Sequence, residues 1–349
     1  MTQLRTVQVL GGGSAGSSAH VRSLAAGLVA RGVRVTVCAP PELERLYDFP
    51  GAGAHFAPAG ALRAECAGAD LVHAHGLRAA VRAALALSGL RIPLVVTWHT
   101  RAPDDGARGR VVRLLERRAA RASAVLLGTC SELVDRARGL GARDARLAPL
   151  ALPASQGPVA AGAAEVRARL DAGERPLVLA VGNLEPGRGY GTLLDAAEWW
   201  RLLDPVPLVV IAGEGRERAA LERRIGAERL PVRLLGRRDD IAELLAAAEV
   251  AVLPSRWEAR SPLAQEALRM GVPLVATAVG GVPELVGEAA ELVPYGDAGA
   301  LAGAVAGLLG DGERREELRR AGRVQAAGWQ TEDETVVQVL SVYDELVSR

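Results

Sequence analysis

Lysine is absent from this chain of 349 residues. All 42 basic side chains are arginine, set against 41 acidic ones, for a formal net charge of +1. A balance so near zero excludes a global electrostatic drive toward nucleic acid. Aromatic residues are only 3% of the chain, so no interleaved stacking platform for single strands is available either. Cysteine is scarce: Cys38, Cys66 and Cys130 are odd in number, widely spaced and free of any C-x-x-C. That pattern excludes a disulfide framework and a zinc site, and it fits reduced thiols in a cytoplasmic compartment. No apolar run reaches the ~18 residues that a membrane-spanning helix needs. The opening stretch MTQLRTVQVLG reads as a strand rather than a signal peptide.

What is abundant is apolar: 49% of residues, enough for two domains each with a core. Short apolar runs alternate with helical patterns throughout, the mark of parallel α/β sheets. In the first half the strands read TVQVLG, VRVTVCAP, DLVHAHG, PLVVTWHT, AVLLGTC and ARLAPLALP; in the second, PLVLAVG, PLVVIAG, VRLLG, VAVLPS, PLVATAVG and ELVPYG. The aperiodic stretch Pro153–Ala164 is the linker. The expectation is two Rossmann-like, doubly wound domains, 1–155 and 156–330, facing across a cleft. An amphipathic helix over 331–349 is free to pack back on the N-terminal domain. Ligands of such sheets bind at the carboxyl ends of the strands.

Glu258 and Glu266 stand out in LPSRWEARSPLAQEALRMGVPLVATAVGGVPELV. Glu258 falls in the loop after a strand. Pro262 opens the next helix, where its missing N–H costs nothing, and Glu266 lies one turn in. Free N–H groups at the helix start lie between the two carboxylates. That arrangement suits an anionic ligand that also presents sugar hydroxyls. Near the N-terminus Gly11, Gly13 and Gly16 spell G-x-G-x-x-G. A nicotinamide or flavin site would want an acidic residue at the end of the second strand, which here reads Val37-Cys38-Ala39-Pro40. The loop is then either a tight turn or a place for backbone to approach a diphosphate.

His99, in VVTWHT, sits at the carboxyl end of a strand, where functional side chains collect. His73 and His75, in DLVHAHG, are expected on opposite faces of their strand, leaving His75 at the tip to face a ligand. No further ligands are arranged around this H-x-H for a metal. His20 stands in the helix that follows the glycine loop.

Together these segments resemble glycosyltransferase family 4, the retaining enzymes of the GT-B fold, over nearly the whole chain. The motifs are the glycine loop, AHVRSLAAGLVARGVRVTV, DLVHAHG, VVTWHT, AVGNLEPGRGYGTLLDA, VVIAGEGRER, the Glu258-to-Glu266 pair and GGVPELV. The resemblance implies sugar transfer from a UDP- or GDP-sugar to an acceptor hydroxyl, with retention and with neither metal nor other cofactor. It puts Glu258 beside the donor sugar and Glu266 on the nucleotide ribose, whose diol a carboxylate can accept. Arg260, Ser261 and Pro262 contact the sugar or the phosphates. Arg188, where the family usually carries lysine, binds the diphosphate and stabilises the charge that grows as the bond breaks. His99 orients the acceptor or the donor sugar. Gly13, Gly16, Gly213 and Gly236 shape the donor site, and His20, His75 and His99 line the acceptor side. Asn183 stands where the family usually has arginine, and Ala15 where it usually has glycine. Those departures keep open a nucleotide-sugar-binding protein with impaired catalysis. A sugar-nucleotide epimerase on a similar scaffold lacks the glutamate motif.

Residues 106–122, GARGRVVRLLERRAARA, carry six arginines, Arg108, Arg110, Arg113, Arg117, Arg118 and Arg121, against Glu116. Such a helix serves an acceptor phosphate or a weak peripheral contact with anionic lipid. The plainer alternative is a solvated face with Val111, Val112, Leu114 and Leu115 turned to the core, and this is the expectation here.

Overall fold

The computed structural model describes residues 3–12, 15–101, 106–152 and 162–348. These residues form two compact units. The first runs to the linker and is rejoined by the chain from Gln330 onward; the second ends at Trp329. The linking residues 153–161 and the boundary at 155/156 lie outside the described residues. The second unit opens with a helix at Ala163–Arg169, so the linker stops short of Ala164.

In the first unit the strands are β1 (Arg5–Leu10), β2 (Arg34–Ala39), β3 (His55–Pro58), β4 (Leu71–His75), β5 (Leu94–Trp98), β6 (Val125–Gly128) and β7 (Ala145–Leu147). They pair in parallel in the order β3-β2-β1-β4-β5-β6-β7. β3 is an addition to the six expected from the sequence. HFAP is short and contains a proline, which a sheet tolerates at its edge. The order reverses between β1 and β4, and that is the switch point of this sheet.

The second unit has β8 (Leu177–Val181), β9 (Leu208–Ala212), β10 (Val232–Gly236), β11 (Val250–Leu253), β12 (Leu274–Thr277) and β13 (Glu291–Val293). They run parallel in the order β10-β9-β8-β11-β12-β13, with the switch point between β8 and β11. The central strands are buried on both faces, which explains their unbroken Val, Leu, Ile and Ala. Trp200, 1% exposed, anchors one face by donating its indole N–H to the Ala302 carbonyl at 3.0 Å.

The helix Glu332–Val347 packs on the first sheet beside the helix Ala15–Ala30. Thr331 and Glu334 close a capping box at its start. Val336, Val339, Val342 and Tyr343 complete a core with Leu10, Leu24, Leu71 and Val95. Gly27 lets the two helices approach: a Cβ there would meet Val336 Cγ2 at 2.5 Å. Among the described residues no helix is long and apolar enough to cross a membrane. Cys38, Cys66 and Cys130 are buried.

Candidate functional site

The loops after β8 and β11 flank the switch point of the second sheet and bring Arg188 and Glu258 together. Arg188 Nη1 is hydrogen-bonded and ion-paired to Glu258 Oε1. The Ser255 hydroxyl donates to the same oxygen at 3.1 Å. The Glu258 side chain is 14% exposed and that of Arg188 34%. Burial pushes the Glu258 carboxyl above its ordinary range, against the pull of Arg188 and the Ser255 hydroxyl.

Backbone contacts hold this pair in place. The Arg256 N–H donates to the Gly187 carbonyl at 2.7 Å, joining the two loops. Gly189, at φ +74°, starts the helix Tyr190–Trp199, and a Cβ there would lie 1.8 Å from the Pro254 carbonyl oxygen. Gly280, at φ +55°, lies against the Glu258 loop: a Cβ would meet the Glu258 carbonyl oxygen at 2.1 Å and Trp257 Nε1 at 2.9 Å. The next N–H, of Gly281, donates to that Glu258 carbonyl at 2.9 Å. The Gly-Gly turn is therefore a clamp on Glu258 as well as a turn. Thr277 adds a further tie, donating to the Ser255 carbonyl at 2.6 Å.

Pro262 opens the helix Pro262–Met270, and Ser261 caps it by accepting from the Ala264 N–H at 3.4 Å. Glu266 sits on the second turn with its side chain 15% exposed, 3.9 Å from Arg269. Arg260 and Arg269 stack on Trp329, their Cζ atoms 5.9 and 5.7 Å from the ring centre. Trp329 is fixed by its own N–H bond to the Leu285 carbonyl at 3.1 Å. Asn183 is exposed after β8. Gly213 and Gly236 close the ends of β9 and β10, where the Gly213 N–H donates to the Gly236 carbonyl at 2.8 Å. Sequence reasoning missed Ser255, Thr277 and Trp329; the polar end of LPS after β11 was the one available signal.

In the first unit four of the five histidines, His20, His73, His75 and His99, form a cluster beside the β1/β4 switch point. The rings of His73 and His75 are 4.2 Å apart, so they share one face of β4 rather than opposing faces. Only Ala74 separates them, and a strand returns to the same face every second residue. His75 lies 5.6 Å from His99 and 5.9 Å from His20, and His20 lies 5.8 Å from His99. His20 is on the second turn of the helix Ala15–Ala30, and Gly16 is in its first turn. Gly13 lies outside the described residues. His99 is partly exposed as a residue, yet both its ring nitrogens are shut away from solvent.

Burial holds His20 down to about 4 and His99 to about 3. It likewise lowers His73 and His75 well below the ordinary histidine value, with the neighbouring rings adding to the effect. All four are neutral near pH 7 and present ring nitrogens as hydrogen-bonding groups. Among the described residues no three His, Cys, Asp or Glu side chains converge as metal ligands.

The helix Gly106–Ala122 corrects the expectation for its apolar residues. Val111 and Leu114 are 59% and 66% exposed rather than turned to the core. Arg110, Arg113, Arg117, Arg118 and Arg121 are exposed with them, and the side chain of Arg108 is outside the described residues. Glu116 is buried, bound by both Nε and Nη2 of Arg136 at 3.1 and 2.7 Å. Its charge is cancelled internally, which leaves the outer face cationic and apolar.

Residues 164–325 match the family model "Glycosyl transferases group 1" and residues 15–153 match "Glycosyl transferase 4-like domain". The alpha-D-kanosaminyltransferase of Streptomyces kanamyceticus is 32% identical over 66% of this chain and 64% of its own length. The D-inositol 3-phosphate glycosyltransferase of Xylanimonas cellulosilytica is 31% identical over 86% of this chain and 79% of its own. Among solved structures, Anabaena Alr3699/HepE in complex with UDP superposes with a TM-score of 0.83 at 18% identity, covering 98% of this chain and 100% of that one. That last likeness is one of fold. With one family model on each sheet and a relative above 30% identity along most of both chains, this chain belongs to the group 1 glycosyltransferases and has the GT-B fold.

Proposed function

We propose that the protein is a retaining glycosyltransferase that moves a sugar from a UDP- or GDP-sugar to an acceptor hydroxyl without a metal ion. One observation carries this: the ion pair of Arg188 and Glu258 beside the β8/β11 switch point, with Glu266 on the next helix. Donor diphosphate competes for Arg188 and draws it off Glu258. The freed carboxylate accepts hydroxyls of the donor sugar, and Glu266 takes the ribose diol. As the glycosidic bond lengthens, negative charge grows on the leaving diphosphate, and Arg188 stabilises it more than it stabilises the ground state. The acceptor proton passes to the leaving phosphate. Retention is supported by the resemblance to the retaining family and by relatives whose names specify alpha transfer. The UDP held by the Anabaena protein makes UDP-sugars the first donors to try.

The test is release of nucleoside diphosphate from UDP- and GDP-sugars with an acceptor panel that includes inositol phosphate, followed by the anomeric configuration of the product. Glu266→Ala should weaken donor binding and Glu258→Ala should chiefly lower turnover. Wild-type kinetics in both variants sink the proposal. Nucleotide-sugar binding without release under any acceptor favours the binding-protein alternative, for which Asn183 and Ala15 speak.

The exposed Val111 and Leu114 among arginines support a peripheral contact with anionic lipid on the cytoplasmic face. Each exposed arginine near such a surface contributes about 1 kcal/mol. Co-sedimentation with phosphatidylserine vesicles should exceed that with phosphatidylcholine alone, and Arg113→Glu with Arg117→Glu should abolish the difference. Equal sedimentation with both vesicles removes the contact.

A further inference from the structure

Hydrogen bonding in the histidine cluster becomes less complete toward the carboxyl ends of the strands. His73 uses both ring nitrogens: Nδ1 with Tyr343 Oη and Nε2 with Thr97 Oγ1, each at 2.7 Å. His75 uses only Nε2, which lies 3.0 Å from Gln8 Oε1, while its Nδ1 is buried without a partner. Neither ring nitrogen of His99 has a partner. Buried polar atoms are nearly always bonded, so orphans gathered at the ligand end of a doubly wound sheet mark partners supplied by a ligand.

Gln8 decides what His75 presents. Its amide NH2 has two hydrogens and faces two oxygens, Tyr343 Oη at 3.0 Å and Thr6 Oγ1 at 3.4 Å. Its Oε1 is thereby turned to His75, and a carbonyl oxygen only accepts. His75 must then carry its proton on Nε2, leaving Nδ1 with a free lone pair. We propose that Tyr343 is a positioning residue: by holding the Gln8 amide it fixes His75 as the Nε2–H tautomer, whose Nδ1 accepts a hydrogen bond from a sugar hydroxyl. The choice of a sugar hydroxyl rests on the sugar-transfer proposal, whereas the tautomer does not. Tyr343 comes from the helix Glu332–Val347, far along the chain from the strands it organises.

The test is long-range proton–nitrogen correlation of the imidazoles in the full-length protein, with His75 assigned by its loss in His75→Gln. The wild type should show His75 protonated on Nε2. Tyr343→Phe keeps the ring and deletes the hydroxyl, and His75 should become a mixture of tautomers. Thr97→Val removes the hydroxyl on Nε2 of His73 while leaving the Gln8 amide and its bond to His75 in place, and should leave the His75 tautomer unchanged. A wild-type His75 protonated on Nδ1, or an unchanged tautomer in Tyr343→Phe, overturns the proposal. Should Tyr343→Phe not fold, Gln8→Met cuts the same link, and an unchanged His75 there overturns it equally.

Adding UDP-glucose in one arm, and UDP with inositol phosphate in the other, shows whether the hydroxyl comes from donor or acceptor. The His75 Nδ1 resonance should move in one arm, and movement in neither removes the hydroxyl. KM for that ligand should rise roughly three- to tenfold in Tyr343→Phe with kcat nearly unchanged, the effect of one misdirected hydrogen bond. Absence of sugar transfer by the wild type would refute the proposed function and leave the tautomer result standing.

Discussion

Acid should unfold the first unit well before the second. His20 and His99 are held at about 4 and about 3 in the fold, against 6.5 for an ordinary histidine. Because the folded values are depressed, the unfolded chain binds the extra protons. Stability is complete above pH 6.5 and is lost as pH falls toward the folded values. Between pH 7 and pH 5 each of these two rings removes about 2 kcal/mol, and the pair about 4 kcal/mol. His73 and His75 act in the same direction. Among the described residues no carboxylate is hydrogen-bonded to any of the four rings, so no ion pair forms there to offset the loss. Against a typical domain stability of about 5–15 kcal/mol this is a large fraction. Hydrogen exchange followed by mass spectrometry, referenced to intrinsic rates at each pH, should show protection in β4 and β5 peptides falling roughly a thousandfold from pH 7 to pH 5. Peptides of β8 and β11 serve as the internal control. A fall of less than about tenfold in β4 and β5 would mean that the rings are not desolvated as the packing indicates.

Three further outcomes are expected. Gly280→Ala places a Cβ 2.1 Å from the Glu258 carbonyl oxygen at φ +55°; strain of about 1–3 kcal/mol should appear in a denaturant melt, with turnover reduced more than tenfold and wild-type turnover refuting the clamp. Arg136→Ala strands the buried Glu116 and should cost about 3–5 kcal/mol, whereas the exposed Arg117→Ala should stay within about 0.5 kcal/mol; equal melts for the two variants would show that the Glu116 pair does not matter. Arg188→Ala should lose about 2–4 kcal/mol of transition-state stabilisation, read from kcat/KM, and a negligible change would leave Arg188 as a partner of Glu258 alone.

The sequence made the strands legible because a sheet buried on both faces demands continuous apolar runs. All six runs of the second half became strands, and HFAP escaped because a four-residue edge strand with a proline has too little pattern to detect. Glu258, Glu266 and Pro262 were legible because a strand end and a helix start are local features. The partners of Glu258 were not all so: Ser255 is three residues away, but Arg188 is 70 and required the sheet order to bring it near. His73 and His75, expected on opposite faces, share one because a strand repeats every second residue, as their 4.2 Å ring separation shows. Tyr343 lies 270 residues from His73, and nothing in a helix reading VVQVLSVYDELV signals that one hydroxyl will organise a distant strand. Val111 and Leu114 look like core residues by type, and only the packing of the helix decides which of its faces is covered.

The rejoining of the chain to its first unit sets an order of assembly. A ribosome delivers residues 162–329 before Val336, Val339, Val342 and Tyr343, so the second unit has its whole core in hand while the first still lacks one wall. Until residues 330–348 emerge, Gln8 and His73 lack the tyrosine hydroxyl that bonds to both of them. The N-terminal portion of the nascent chain, although made first, is therefore the last to mature.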